Sequence, residues 1–298
     1  MSTLVEILDP NFLLHDALVG SVLVGLVCPL VGVYFVLRRM IFLGVALPQL
    51  SAAGIAFAFF TYRAIVGVHA HEEPSERALA MAGSFAFTLV GLLVLAALER
   101  RGRETVEARI GTTYALAASA TILLLAADPY GEAHMVNLLK GDITTTQSGH
   151  VTLLAAVYGS VVVVLLALRK ELLLVSFDRE LAMVFGRRVA IWDGLLYLLI
   201  GITISLGVMT AGPLVTFGFL VVPALTARLL VRRMLAFSLM ASCLGAGTAF
   251  VGFWAAYRWD LPLGPSQVAT ACGALMLVGA YGAARRALQS RIGQGTRG

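Results

Sequence analysis

Few residues in this 298-residue chain are of a type that does chemistry. The clearest group is His69-Ala70-His71-Glu72-Glu73, two imidazoles and two carboxylates in one polar link. Those donors suit zinc or manganese, so His69, His71 and Glu72 are candidate ligands for a divalent cation. Glu132 and His134 offer the same combination further on. The same side chains equally suit a solvated loop or a docking point for another protein. Cys28, Cys243 and Cys272 lie in apolar runs without CxxC spacing, which reads as buried thiols rather than disulfides or a zinc site. No nucleophile stands beside a base, and no pair of aspartates sits in an apolar run, so intramembrane proteolysis has no machinery here. No series of carboxylates or histidines sits at mid-span either, where a proton-coupled carrier keeps one. His15, Asp16, Arg63 and Asp193 stand near the ends of apolar stretches and can reach an aqueous interface. Whatever crosses must be driven from elsewhere.

The elements that carry these residues are set by composition. With 59% hydrophobic and 13% charged residues, the chain lies far from soluble domains, and it is too apolar to stay disordered. Apolar stretches of about 20 residues exclude a β-barrel, whose strands need about ten alternating ones. The fold class is therefore an all-α membrane protein, a polytopic bundle. Apolar windows place nine spans at 13–37, 41–66, 78–98, 110–127, 151–168, 191–210, 213–231, 234–257 and 264–284. With the link after the first span inside, eighteen of the 22 Lys and Arg are cytoplasmic; Arg63, Arg77, Lys140 and Arg258 are not. That split puts the N-terminus outside and the C-terminus in the cytoplasm. It also accounts for the net charge of +5 without nucleic acid. The absence of a basic residue before the first span argues against a cleaved signal peptide. No linker divides residues 1–298, which read as one domain with a polar tail over about 289–298. Pro29 with Arg38-Arg39-Met40 is echoed by Pro223 with Arg232-Arg233-Met234, a duplicated half or a coincidence.

Three segments stand out. In the second span, Val45, Pro48, Gln49 and Ser51 make a polar break, and Gln49 falls about 12 Å into a hydrocarbon layer of about 30 Å. Gln49 can line a path or bond a neighbouring helix. The seventh span has Gly212-Pro213 at its entry and Pro223 ten residues later, with Thr210 and Thr216 nearby. That pattern predicts a kinked or broken helix, lining a cavity or simply packed. The inner loop at about 170–190 holds Phe177, Asp178, Glu180, Ala182, Phe185 and Gly186. Ser176 or Asp178 can cap a short helix with Leu181, Ala182 and Phe185 on one face, ended by Gly186. Such a helix lies on the membrane or docks a partner.

Asp178-x-Glu180-x-Ala182-x3-Gly186, followed by Gly212-Pro213-Leu214-Val215 and Leu220-Val221-Val222-Pro223-Ala224-Leu225-Thr226-Ala227-Arg228, resembles the permease subunits of bacterial ABC importers for zinc, manganese and iron(II). Gly25-x3-Pro29-Leu30-Val31-Gly32, Arg38-Arg39-Met40-x2-Leu43-Gly44-x-Ala46-Leu47 and Leu138-Leu139-Lys140-Gly141-Asp142-Ile143 are similar to the same family, in order along nearly the whole chain. The resemblance implies a type II importer-like bundle in the inner membrane and a homodimer around a central path. It implies two cytoplasmic ATPase subunits carrying the ATP and Mg, and a periplasmic or lipid-anchored metal-binding protein above. No cofactor falls to this chain. Phe177, Asp178, Glu180, Ala182, Phe185 and Gly186 then form the coupling helix, and Val45, Pro48, Gln49, Ser51, Thr210, Thr216 and Pro223 line the path. There is one departure. The family commonly carries Asp and His where this chain has Val45 and Gln49, and a neutral amide is a poor ligand for zinc. The sequence therefore also admits a permease for a different small substrate, a stand-alone channel or a secondary carrier.

Overall fold

The computed structural model describes residues 14–66, 73–99, 106–127 and 148–295, and among these there is no strand. Among the described residues ten helices follow one another: α1 His15–Leu37, α2 Leu43–Val66, α3 Glu73–Glu99, α4 Val106–Ala126, α5 Ser148–Ala167, α6 Arg169–Phe177, α7 Arg179–Val184, α8 Val189–Leu230, α9 Met234–Trp259 and α10 Leu263–Gly295. The last helix carries on through the segment expected to be tail, as far as Gly295. The metal candidates His69, His71 and Glu72, with Glu132 and His134, lie outside the described residues or the described side chains.

Seven of these helices are long and apolar enough to cross a membrane, or eight if the pair α5 and α6, bent by 70°, is counted as one span. Nine spans were expected. The two counts meet in α8, whose 42 residues would run about 63 Å if straight, twice the hydrocarbon thickness. Gly212, at φ 82° and ψ 165°, interrupts it. Segments 189–211 and 213–230 are then each about one membrane long, matching the sixth and seventh expected spans. That backbone region is open to glycine almost alone, which is why the break falls there. Pro29, Pro48 and Pro223 instead sit inside continuous helix.

Helices α1 and α8 form the centre, with α2, α9 and α10 packed about them. Small residues set the spacing. A methyl on Gly32 would stand 1.7 Å from the Leu220 carbonyl oxygen, and one on Gly245 would stand 1.9 Å from that of Gly25. Backbones this close gain dispersion contacts along both helices, the main attraction available where lipid is as apolar as leucine. Polar groups are handled locally. The hydroxyls of Thr88, Thr203, Thr216 and Thr226 donate to the carbonyl four residues back on their own helix. Ser242 Oγ donates across to Leu26 O at 2.6 Å, and Tyr158 to Thr203 O at 3.1 Å. On the outside, Val90, Leu93, Leu116, Leu123, Val163, Met276 and Leu277 are exposed over several helices. Such a belt would drive aggregation in water and belongs against lipid. This is a multi-pass membrane protein. Cys28 is buried as expected, whereas Cys243 is exposed and Cys272 half-buried.

Candidate functional site

The inner loop is built in two pieces where one short helix was expected. After the bend at Leu168, α6 runs as a helix of its own, and the chain extends for one residue at Asp178 (φ −145°, ψ 99°) before α7. Asp178 is the cap: its Oδ1 accepts from the Leu181 amide at 2.9 Å. Ser176, the other capping candidate, is buried and accepts from Arg38 Nε at 3.1 Å. Gly186 ends the helix as expected, at φ 71°, with its amide on Met183 O and the Arg187 amide on Ala182 O. That closure satisfies carbonyls which the last helical turn leaves open.

Which way α7 faces corrects the expected apolar face. Ala182 is 0% exposed, tucked against the bundle, while Leu181 and Phe185 point outward. Phe177 (72% exposed), Met183, Val184 and Phe185 are also uncovered, and Glu180 is exposed beside them. A six-residue helix thus presents a cluster of large apolar side chains next to Arg187 and Arg188. Helices this short are not stable in isolation, so contacts with the rest of the chain must hold it.

Those contacts include a charged group that the sequence alone allows to reach an aqueous interface. Asp193, in the second turn of α8, does not reach an interface; it is buried, with 7% of its side chain exposed. Arg38 Nη2, from the end of α1, donates to its Oδ1 at 2.7 Å, and Arg179, the first residue of α7, donates to Oδ2. Arg38 also lies over the Tyr197 ring, 5.8 Å from its centroid. A weaker pair, Arg187 and Glu171 at 3.7 Å, joins the exit of α7 to α6. The available signal was a carboxylate just inside an apolar span with three arginine-bearing helix ends on the same side.

The path candidates separate into two sets. Val45 and Gln49, four residues apart on α2, are both half-buried, and Thr210 is half-buried on α8. Ser51 is instead fully buried between α2 and α3, its hydroxyl 2.6 Å from that of Ser84. Thr216 is fully buried and bonded to Gly212 O at 2.8 Å, and Pro223 is buried among the central helices. The hydroxyls of Ser51 and Thr216 are thus engaged within the chain and closed off. Pro48 is buried too, while Gly44, one turn before it, rests against Val221 of α8. Among the described residues no group of three His, Cys, Asp or Glu converges as a metal site.

Comparison with known proteins gives a consistent neighbourhood. The model of the ABC 3 transport family matches residues 11–282. The manganese import system permease protein ScaB of Streptococcus gordonii is 25% identical over 257 residues, covering 86% of this chain and 87% of ScaB. The manganese transport system membrane protein MntC of Listeria monocytogenes is 25% identical over 261 residues, covering 87% and 86%. Among solved structures, PsaBC from Streptococcus pneumoniae in complex with Fab shares the fold with a TM-score of 0.78 at 23% identity, covering 93% of this chain and 94% of that one.

Proposed function

This chain belongs to the ABC 3 transport family, and we propose that it is the membrane-spanning permease subunit of an ATP-driven bacterial importer for a divalent metal ion. The chain sits in the inner membrane, N-terminus outside and C-terminus cytoplasmic, as a homodimer around one path. Two cytoplasmic ATPase subunits bind below, and a periplasmic or lipid-anchored metal-binding protein delivers cargo from above. Manganese is the first choice of substrate because relatives named for manganese match along most of the chain; zinc is the second.

The observation that carries the reading is α7. Exposed Val184 and Phe185 at the end of this capped helix, with exposed Phe177 just before it, make a knob of the kind that fills a groove on a partner protein. The flanking arginines support a cytoplasmic position for it. Hydrolysis on the partner would move α7, and the packed helices behind it would carry that motion to the path. Such a path needs no titratable group at mid-depth, which agrees with Val45 and Gln49 standing where the family carries ligands. The cation passes hydrated, held by neutral oxygens, or touches groups brought by the second copy. Those two neutral residues also favour the second reading, a permease of the same design for a substrate other than a bare transition metal.

The test is purification. The tagged chain in mild detergent should retain a soluble ATPase, and Phe185→Glu should release it while membrane yield stays near normal. A chain that purifies alone, from its native cells, is a channel or secondary carrier.

A further inference from the structure

We propose that Asp193 is the positioning residue through which movement of α7 is delivered to the two central helices. The proposal rests on the reading of α7 as the docking helix and adds what joins it to the spans. A six-residue helix pushed by a partner would unwind rather than transmit unless it were fixed to something rigid. The N-terminal end of α7 is fixed by charge: Arg179 donates to Asp193 Oδ2. The other carboxylate oxygen is taken by Arg38 at 2.7 Å. Arg38 is itself 11% exposed and reaches Ser176 at the end of α6 at 3.1 Å. One buried carboxylate thereby joins α1, α7 and α8 directly, and α6 through Arg38.

Burial decides the strength of the joint. Exposed ion pairs yield to salt and water, whereas a carboxylate closed off from water that loses a partner keeps its desolvation cost with less compensation. Drawing α7 away therefore either drags α8 at Asp193 or strips one cation from it. The Arg187 and Glu171 pair is longer and more exposed, so it is the weaker tie. Ala182, without a polar group, holds α7 against the bundle but gives no directional grip.

The variant is Asp193→Asn, which keeps size and one acceptor but removes the charge. Reconstituted in nanodiscs and proteoliposomes with the ATPase and binding protein, it should bind the ATPase as the native chain does and still hydrolyse ATP. Manganese moved per ATP should fall by about ten-fold or more, the size of an ordinary coupling between sites. Hydrogen exchange over residues 179–184 should rise by about ten-fold while residues 215–227 stay protected. Arg179→Ala should do the same, and the double variant should add nothing to either single one. Native transport per ATP in Asp193→Asn would overturn the proposal. So would increased exchange across residues 215–227 with loss of the ATPase, which marks a purely structural role. If Asp193→Asn is not recovered from membranes, Arg179→Ala decides by the same ratio, since its side chain is half-exposed. The exchange measurement needs no partner, so it judges Asp193 even where the native chain proves not to bind an ATPase.

Discussion

Adding one methyl to α1 at two glycines should have opposite effects, because the neighbours differ. A Cβ on Gly32 falls 1.7 Å from Leu220 O and 2.7 Å from its carbon, backbone atoms that no rotamer change can move aside. An ordinary contact needs about 3.4 Å, so α1 and α8 must part by roughly 1.7 Å at their crossing, which forfeits much of the local dispersion energy. Overpacking typically costs about 1–3 kcal/mol, and backbone on both sides puts Gly32→Ala at the upper end. A Cβ on Gly20 meets nothing within 4 Å. Gly20→Ala then keeps only the gain in helix propensity, up to about 1 kcal/mol. Thermal unfolding in detergent of chains that also carry Cys243→Ser and Cys272→Ser, followed by reaction of the buried Cys28 thiol with a fluorogenic maleimide, reads both. With about 2–4 °C per kcal/mol for proteins approaching this size, Gly32→Ala should melt about 5 °C or more below the native chain and Gly20→Ala at or slightly above it. Equal melting temperatures for the two variants would show that α1 and α8 do not touch at Leu220, and the central packing would be wrong.

The remaining expectations are more local. Gly212→Ala forces a side chain into a glycine-only region at a cost of order 1–3 kcal/mol; it should cut transport more than yield, and native transport would remove the break in α8 from the mechanism. Ala182→Glu puts a charge where nothing is exposed, so α7 should leave the bundle and release the ATPase; retained ATPase would mean that α7 is not the docking element. A single cysteine at Trp259 in a cysteine-free background should react with an impermeant maleimide in intact cells while one at Phe185 does not, and labelling at Phe185 would invert the proposed orientation. Val45→Asp with Gln49→His sets a carboxylate and an imidazole one turn apart. The purified double variant should retain zinc where the native chain retains little; poor folding without bound metal would place both residues against neighbouring helices.

What could be read from the sequence was whatever depends on local pattern. Span positions followed from apolar length, which already parts 191–210 from 213–231 on either side of Gly212, whereas the kink expected within the seventh span is not seen, since Pro223 sits in continuous helix. The ends of α7 followed from Asp178 and Gly186, because capping is decided within a few residues. Faces were not readable. Leu181, Ala182 and Phe185 satisfy helical spacing, but only contacts with α8 and α6 decide that Ala182 turns inward. Ser51 looks like Gln49 as a polar residue in a span, and its partner Ser84 is 33 residues away. Asp193 was misread for the same reason: near a span end, a carboxylate can reach water or be held by cations. The cations that hold it come from positions 155 and 14 residues distant.

ATP-driven metal import is read from uptake of radioactive manganese into proteoliposomes. The chain is reconstituted with its ATPase, ATP is enclosed in the lumen with outward-facing copies removed by site-specific proteolysis, and metal-loaded binding protein is added outside. Manganese should accumulate above its external concentration with ATP inside, and not with a non-hydrolysable analogue. Equal uptake with either nucleotide, stopping at the external concentration, would make the protein a passive channel and not an importer.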